Sequence, residues 1–307
     1  MVYIVGAGPG AADLLTVRGL RLLQTADLVI YAGSLVNPEL LKETKPGCQI
    51  KNSAVMTLEE VIAQVEEAEK KGLSTVRLHT GDPCLYGAVR EQMDAFAARK
   101  IPFSICPGVS SFCGAAASLE MEYTLPSVSQ SVIITRMQGR TDVPEKESIR
   151  AFAAHRATMV IFLSAGILKE LEKELMDGGY PADTPAAIVY KATWPEEKIV
   201  RCVLSRLAET GEREGIRKTA LIIVGEAVAQ KDYLRSKLYD SEFTTEFREG
   251  ILKDTYMPSG SKEEILKDTY MPSGSKEEIL KDTYMPSGSK EEILKDTCMP
   301  SGNKITG

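Results

Sequence analysis

Val5-Gly6-Ala7-Gly8-Pro9-Gly10 is the stretch on which the reading of this 307-residue sequence turns. It follows Val2-Tyr3-Ile4-Val5, an apolar, β-branched run of strand type. It precedes Ala12–Thr25, where Leu14, Leu15, Val17, Leu20, Leu22 and Leu23 recur at roughly helical spacing. A glycine-rich turn between a first strand and a first helix lets backbone approach a ligand closely, with helix N–H groups behind it. A dinucleotide site is the first reading, and the residues argue against it. The sixth position of the glycine pattern is Ala11, and Pro9 removes a backbone donor. The acid that would hold a ribose belongs about 20 residues on, at the end of the second strand. That strand ends Ile30-Tyr31-Ala32-Gly33, and Asp27 stands at its beginning. A tight turn with no ligand role stays open as the alternative.

Two further turns have the same setting. Thr75–Leu78 is a short strand running into His79-Thr80-Gly81-Asp82-Pro83, with a helix expected over Ala88–Lys100. Phe103–Cys106 is a strand that ends at Pro107-Gly108-Val109-Ser110-Ser111, before the small-residue helix Phe112–Ser118. Open α/β sheets place their sites at the carboxyl ends of strands, so three such turns predict one shared cleft. Asp82 faces a ligand there or, alternatively, caps the helix that follows.

Strand and helix patterns alternate through the first part of the chain. Asp27–Tyr31 is a second buried strand, and Thr57-Leu58-Glu59-Glu60 is a capping box opening a helix over Thr57–Lys71. This rhythm predicts an α/β domain with a largely parallel sheet. After Pro126 the pattern changes: strands are expected at Gln130–Thr135, Val160–Leu163, Ala186–Tyr190, Lys198–Val203 and Ala220–Val224, with a helix at Ile167–Asp177. Little crossover helix separates Ala186–Tyr190 from Lys198–Val203, which predicts a mixed second sheet. The domain boundary falls near Tyr123–Ser129.

From Ile251 the sequence repeats. Ile-Leu-Lys-Asp-Thr-Tyr-Met-Pro-Ser-Gly-Ser-Lys-Glu-Glu at 251–264 recurs unchanged at 265–278 and 279–292, and a diverged copy follows with Cys298 in place of Tyr. The period is too short for the common solenoid units, and each copy has only Ile, Leu, Tyr and Met to bury. Pro272 would stop any helix begun at Lys262. The reading is a flexible, dispensable tail over 251–307, with an interaction or assembly segment as the alternative.

Composition bounds the function. Hydrophobic residues make up 43% and charged residues 26%, the balance of a globular protein. A net charge of −6 leaves no basic excess for phosphates, which argues against general nucleic-acid binding. Met1–Val5 is too short for a signal h-region and no apolar run reaches about 18 residues, so no membrane span is expected and the cytoplasm is the default. The six cysteines are scattered without a C-x-x-C and read as reduced; with only His79 and His155, no protein-bound metal is expected.

Val5–Gly10 with Leu14-Leu15-Thr16, then Thr80–Pro83, then Pro107–Ser111, in this order within Met1–Leu238, resembles the tetrapyrrole methylase family of class III S-adenosylmethionine-dependent methyltransferases. Within it, Tyr31-Ala32-Gly33-Ser34-Leu35-Val36, Leu78–Pro83, and Tyr123-Thr124-Leu125-Pro126 with Val128–Ile133 resemble the branch that methylates carbon 11 of precorrin-4 or cobalt-precorrin-4 in cobalamin synthesis. The uroporphyrinogen branch has Asp at the position of Ala32 and Gly-Gly-Asp at Thr80–Asp82, which points away from it. The resemblance implies two α/β domains, 1–122 and 123–240, a homodimer, and S-adenosyl-L-methionine bound in the cleft between the domains. By position its cofactor contacts fall on Pro9, Thr80, Gly81, Asp82, Leu85, Ser110 and Ser111, then on Leu163, Tyr190, Ala192, Thr219 and Ala220. Gly8 and Pro9 border the tetrapyrrole trough more than the cofactor. Cys84 and Ser127 stand where the family pattern has Ser and Glu, and the repeats have no counterpart.

Methyl transfer from a sulfonium is a direct displacement, so alignment and desolvation are the enzyme's work and no catalytic triad is required. Arg18, Arg90, Arg136 and Arg140 are candidates for the substrate's carboxylate arms, each with a solvated surface role as the alternative. Tyr31 and Tyr86 line the trough or pack the core. Two other functions stay open: a family member acting at another ring position or on a protein, as diphthine synthase does, and a non-catalytic cofactor-binding or assembly protein.

Overall fold

The first sheet is wholly parallel, in a computed structural model that describes residues 1–139 and 141–251. Arg140 and the repeats from Leu252 onward lie outside the described residues. Elements follow in chain order: β1 (Val2–Gly6), α1 (Val17–Thr25), β2 (Leu28–Tyr31), β3 (Gln49–Asn52), α2 (Leu58–Lys70), β4 (Thr75–His79), α3 (Arg90–Ala98), β5 (Phe103–Cys106) and α4 (Ser111–Ser118). The second half holds β6 (Val132–Arg136), α5 (Ile149–Ala153), β7 (Thr158–Phe162), α6 (Leu168–Asp177), β8 (Pro185–Tyr190), β9 (Lys198–Val203), α7 (Leu207–Arg213) and β10 (Ala220–Val224).

The strand order of the first sheet is β3-β2-β4-β1-β5. β4 and β5 therefore flank β1, and the three glycine turns leave one edge of the sheet side by side. The second sheet runs β6-β7-β10-β8-β9; β6 and β7 are parallel and every other pair is antiparallel, the mixed character expected.

The helix expected over Ala12–Thr25 is broken. Ala12–Leu14 is a single 3-10 turn, Leu15 and Thr16 are extended, and the α-helix starts at Val17. Thr16 explains the break: its hydroxyl accepts the Gly19 N–H at 3.1 Å and so satisfies a donor the helix end leaves orphaned. The Thr57–Glu60 capping box forms in both directions as its sequence predicts. Strand β3 carries no apolar alternation, because it is an edge strand with little to bury. The short helices α5 and α7 were also not evident in the sequence, being under two and a half turns each.

Both sheets are covered on two faces. In the first, Val2, Ile4, Leu28 and Ile30 meet α2 and α3 through Val61, Val65 and Phe96, while Val5, Val29, Val76 and Leu78 meet Leu23 and Leu40. In the second, Met159, Ile161, Ile188 and Ile222 pack on Leu171, Leu175 and Leu207. Its other face, Val160, Ala187, Val189 and Ile223, receives Ala115 of α4 and Leu119 at its end. The small-residue helix that leaves the first sheet thus packs on the second. Residues 1–243 form one unit and the chain from Thr244 another; in the latter, Thr245 and Arg248 exchange backbone hydrogen bonds. No helix among the described residues is long and apolar enough to cross a membrane.

Candidate active site

The three turns interlock through backbone. Gly81 N–H donates to Gly8 O at 2.8 Å and Gly8 N–H to Gly81 O at 3.2 Å; both glycines have positive φ, 80° and 58° respectively for Gly8 and Gly81. The third turn closes on the second through Asp82, whose Oδ2 accepts the Gly108 N–H at 2.9 Å while Oδ1 accepts the Cys84 N–H at 2.8 Å. Asp82 is therefore a brace between turns and not a helix cap; the chain after it runs without helix until Arg90. Burial acts to raise this carboxyl, but the bonds from Cys84 and the Gly108 N–H prevail and hold it below the ordinary carboxylate range. It is ionised at neutral pH. Packing leaves no room for side chains here: a Cβ on Gly6 would lie 2.6 Å from Gly108 Cα, and one on Gly108 would lie 2.3 Å from Gly81 O.

The first turn also docks on the second sheet. The loop after β8 brings Thr193 and Trp194 against it: the Ala11 N–H donates to Thr193 Oγ1 at 2.9 Å, and Trp194 Nε1–H donates to Pro9 O at 3.2 Å. Asn37 Nδ2 donates to Gly10 O at 2.9 Å from the other side. Pro9, which removes a donor from the turn, thus supplies an acceptor to it.

Beside these contacts lies a cavity of about 790 Å³. Pro9, Thr80, Gly81, Asp82, Leu85, Ser110 and Ser111 line it from the first half. Leu163, Tyr190, Ala192, Thr219 and Ala220 line it from the second. All the residues carried over by position as cofactor contacts therefore meet on one cavity. Backbone in the left-handed region recurs around it: Tyr86, Leu163, Lys191 and Thr219, none of them glycine, have φ of 54°, 55°, 48° and 55°. Such strain persists only where surrounding structure fixes it, and it gathers at functional sites. The Lys191 N–H donates to Thr219 O at 2.9 Å and so ties two of these positions together.

The trough candidates divide. Pro9 and Tyr86 line the cavity, and the Tyr86 ring reaches across to Phe162 of β7, centroid to centroid 5.3 Å. Burial pushes the Tyr86 phenol up, with Arg136 nearby opposing. Gly8 sits one layer back, in the bridge to Gly81. Tyr31 packs against the first core, its core-packing alternative. Arg90 is on the surface in an ion pair with Asp94, and Arg18 is exposed on α1. Arg136 spends its guanidinium on the carbonyls of Thr141 and Asp142, at 2.9 to 3.1 Å.

Sequence reasoning missed other lining residues. Trp194, Phe162, Leu35, Lys191, Arg217 and Lys218 all face the cavity. Trp194 is the one tryptophan of the chain, and Arg217-Lys218 directly precede Thr219, signals that were available without weight attached to them. Behind the second turn, His79 and Arg77 are buried on one face of β4. Burial first, and the Arg77 charge second, lower the His79 imidazole to about 3, so it is neutral. Arg77 is satisfied by Gln92 Oε1 and Ile30 O, both at 3.0 Å.

Residues 1–208 match the family of Tetrapyrrole (Corrin/Porphyrin) Methylases. The chain is 52% identical over 252 residues to a cobalt-precorrin-4 C(11)-methyltransferase of Methanocaldococcus jannaschii, covering 82% of this chain and 97% of that one. Its fold is similar to the X-ray structure of a cobalt-precorrin-4 methyltransferase, with a TM-score of 0.73, 46% identity, and coverage of 74% of this chain and 95% of the other. It is also similar to a uroporphyrin-III C-methyltransferase from Thermus thermophilus complexed with S-adenosylhomocysteine, with a TM-score of 0.63, 28% identity, and coverage of 74% and 92%. The family match takes in the three glycine turns, the β8 loop that docks on them and most of both sheets, and the chain belongs to the tetrapyrrole methylases, a family of S-adenosylmethionine-dependent methyltransferases.

Proposed function

We propose that this protein transfers a methyl group from S-adenosyl-L-methionine to carbon 11 of a precorrin-4-type corrin precursor, in the cobalt-containing or cobalt-free form, in cobalamin biosynthesis. The observation that carries the reading is the single cavity on which the three turns of the first sheet meet the strand-end loops of the second. Its volume lies within the range of small-molecule sites, about 300–1,000 Å³. Its character suits the co-substrate. Phe162, Val189, Tyr190, Ala192 and Leu221 offer apolar wall for an adenine, and the ionised Asp82 carboxylate offers negative charge to a sulfonium. Pro9, Thr80, Gly81, Leu85, Ser110, Ser111, Leu163, Thr219 and Ala220 complete the contacts in this reading. When bound, the co-substrate supplies an electrophilic methyl group.

The protein's own part is alignment. The Gly8–Gly81 bridge and the Asp82 brace fix the turn that faces the donor before any ligand arrives, so little reorganisation remains at the moment of transfer. The Tyr86–Phe162 contact closes one side against water. Nucleophilicity comes from the electron-rich pyrrole system of the substrate. Arg217 and Lys218 bring positive charge to the cavity, and we assign them to the acetate and propionate arms; Lys191 beside them is paired with Glu196 at 3.5 Å. Arg217 and Lys218 are exposed and make no ion pair among the described residues. The division into domains 1–122 and 123–240, a homodimer in the cytoplasm, no resident metal, and a dispensable tail belong to the same reading, supported by the family resemblance and by the composition of the repeats.

The test is incubation with methyl-labelled S-adenosylmethionine and purified corrin intermediates, with the labelled carbon assigned by NMR. Label at carbon 11 of a precorrin-4 supports the reading. Label at another ring position, label only on a protein, or binding without transfer to any tetrapyrrole each overturns it.

A further inference from the structure

Glu197 joins the two walls of the cavity without lining it. Its Oε2 accepts the Ser118 hydroxyl at 2.5 Å and the Thr193 N–H at 2.5 Å. Ser118 ends α4, and the other end of that helix presents Ser110 and Ser111 to the cavity. Thr193 is held at φ 67°, a conformation that a β-branched residue adopts only under constraint. From there its hydroxyl receives the Ala11 N–H, and its neighbour Trp194 donates to Pro9 O while its ring faces the cavity. The turn closes through the Trp194 N–H to Lys191 O and the Glu197 N–H to Trp194 O, both at 3.0 Å.

This carboxylate, like Asp82, is bonded to neutral donors from two separate segments. Glu197 is half-buried and has no cation within ion-pair distance among the described residues. Its charge goes to two neutral donors that belong to different walls, and charge-assisted bonds are stronger than neutral ones. Gly114, one turn before Ser118 on α4, leaves the space that Pro9 and Thr193 fill: a Cβ there would lie 2.7 Å from Pro9 Cβ and 3.3 Å from Thr193 Cγ2. The carboxylate, the helix and the glycine turn are therefore packed as one block.

We propose that Glu197 is a positioning residue for methyl transfer, acting through Thr193 and Trp194. By holding Ser118 and the Thr193 N–H together it sets where Trp194 and Pro9 stand, and so the shape of the cavity that receives the co-substrate. This rests on the reading that the cavity takes S-adenosylmethionine.

The test measures S-adenosylhomocysteine binding to the full chain by calorimetry, beside the emission of Trp194, the one tryptophan. Glu197→Ala is expected to weaken binding about ten-fold and shift the emission to the red. Glu197→Gln keeps an acceptor oxygen and is expected to restore affinity to within about three-fold of wild type. Equal affinity of wild type and Glu197→Ala, at a temperature where both are folded, overturns the proposal, because a role in stability alone would lower melting and leave binding unchanged. No binding to the wild-type chain overturns the cavity reading instead. Should Glu197→Ala fail to fold, Ser118→Ala removes one of the two ties and is expected to lose about three-fold; unchanged affinity there overturns the proposal.

Discussion

Gly8 and Gly81 hold one another by two backbone hydrogen bonds, Gly81 N–H to Gly8 O at 2.8 Å and Gly8 N–H to Gly81 O at 3.2 Å. A turn that sequence reading connects with a bound phosphate is here bonded to a second turn of the same sheet. Its donors serve the protein, and its acceptor at Pro9 serves the loop of Trp194.

Glycine in this cluster is required for space. Gly108→Ala places a methyl group 2.3 Å from Gly81 O, a backbone atom that cannot swing aside. We expect a loss of about 2 kcal/mol or more, a fall of roughly 4–8 °C in melting temperature for a unit of this size, and loss of co-substrate binding. Scanning calorimetry on the variant checks it; a melting temperature within a degree of wild type is the contrary result.

Tyr86 is the side chain that bridges from the second turn to β7. Tyr86→Ala removes the contact with Phe162, about 1 kcal/mol beyond its buried area, and opens one side of the cavity. A higher KM for the tetrapyrrole with a lower kcat is the expected pattern, and Tyr86→Phe should behave like wild type because the ring makes the contact. Steady-state kinetics on both variants separates ring from hydroxyl.

The positive charge at the cavity predicts a salt-dependent substrate affinity. Reversing Arg217 and Lys218 together to glutamate is expected to raise KM for the tetrapyrrole several-fold at low ionic strength, with a smaller effect at high salt and a smaller one on S-adenosylhomocysteine affinity. An unchanged KM at low salt would remove these residues from the substrate reading.

Asp27 and His79 are two of the groups that make stability fall in acid. Bonds from Lys45 first, then from the Ser74 N–H and hydroxyl, lower Asp27 from 3.8 to about 2, so its contribution to stability is full above 3.8 and is lost as pH falls toward 2. His79 is a base lowered from 6.5 to about 3; the unfolded chain binds its proton first, so stability falls as pH drops from 6.5 toward 3. Asp27→Asn should reduce the slope in the lower window and His79→Phe that in the upper one, measured as denaturant midpoints across pH. A slope unchanged by either substitution contradicts the assignment of that window.

Deleting residues 251–307 is expected to leave methyl transfer and melting at the level of the full chain, because each repeat has few apolar groups to bury. A soluble but inactive truncation is the outcome that would give the repeats a role.

Strand runs such as Phe103–Cys106, Lys198–Val203 and Ala220–Val224 were legible to the residue, since period and β-branching are local properties. So was the Thr57 cap, which needs only the Glu60 three residues on. The motif order carried the family, and the twelve residues it names as cofactor contacts all line one cavity. What no local pattern contains is which donors a turn has already spent. A helix cap was one of two readings open for Asp82, yet its Oδ2 accepts from Gly108 in the turn after β5, a strand that β1 separates from β4. The sequence by itself determined the strands, the glycine turns and the family, through spacing that any copy of these residues would show. Only the tertiary structure decided which turn braces which, and that Glu197 and Trp194 stand at the same junction as Gly8 and Gly81, because those contacts join residues brought together by strand order.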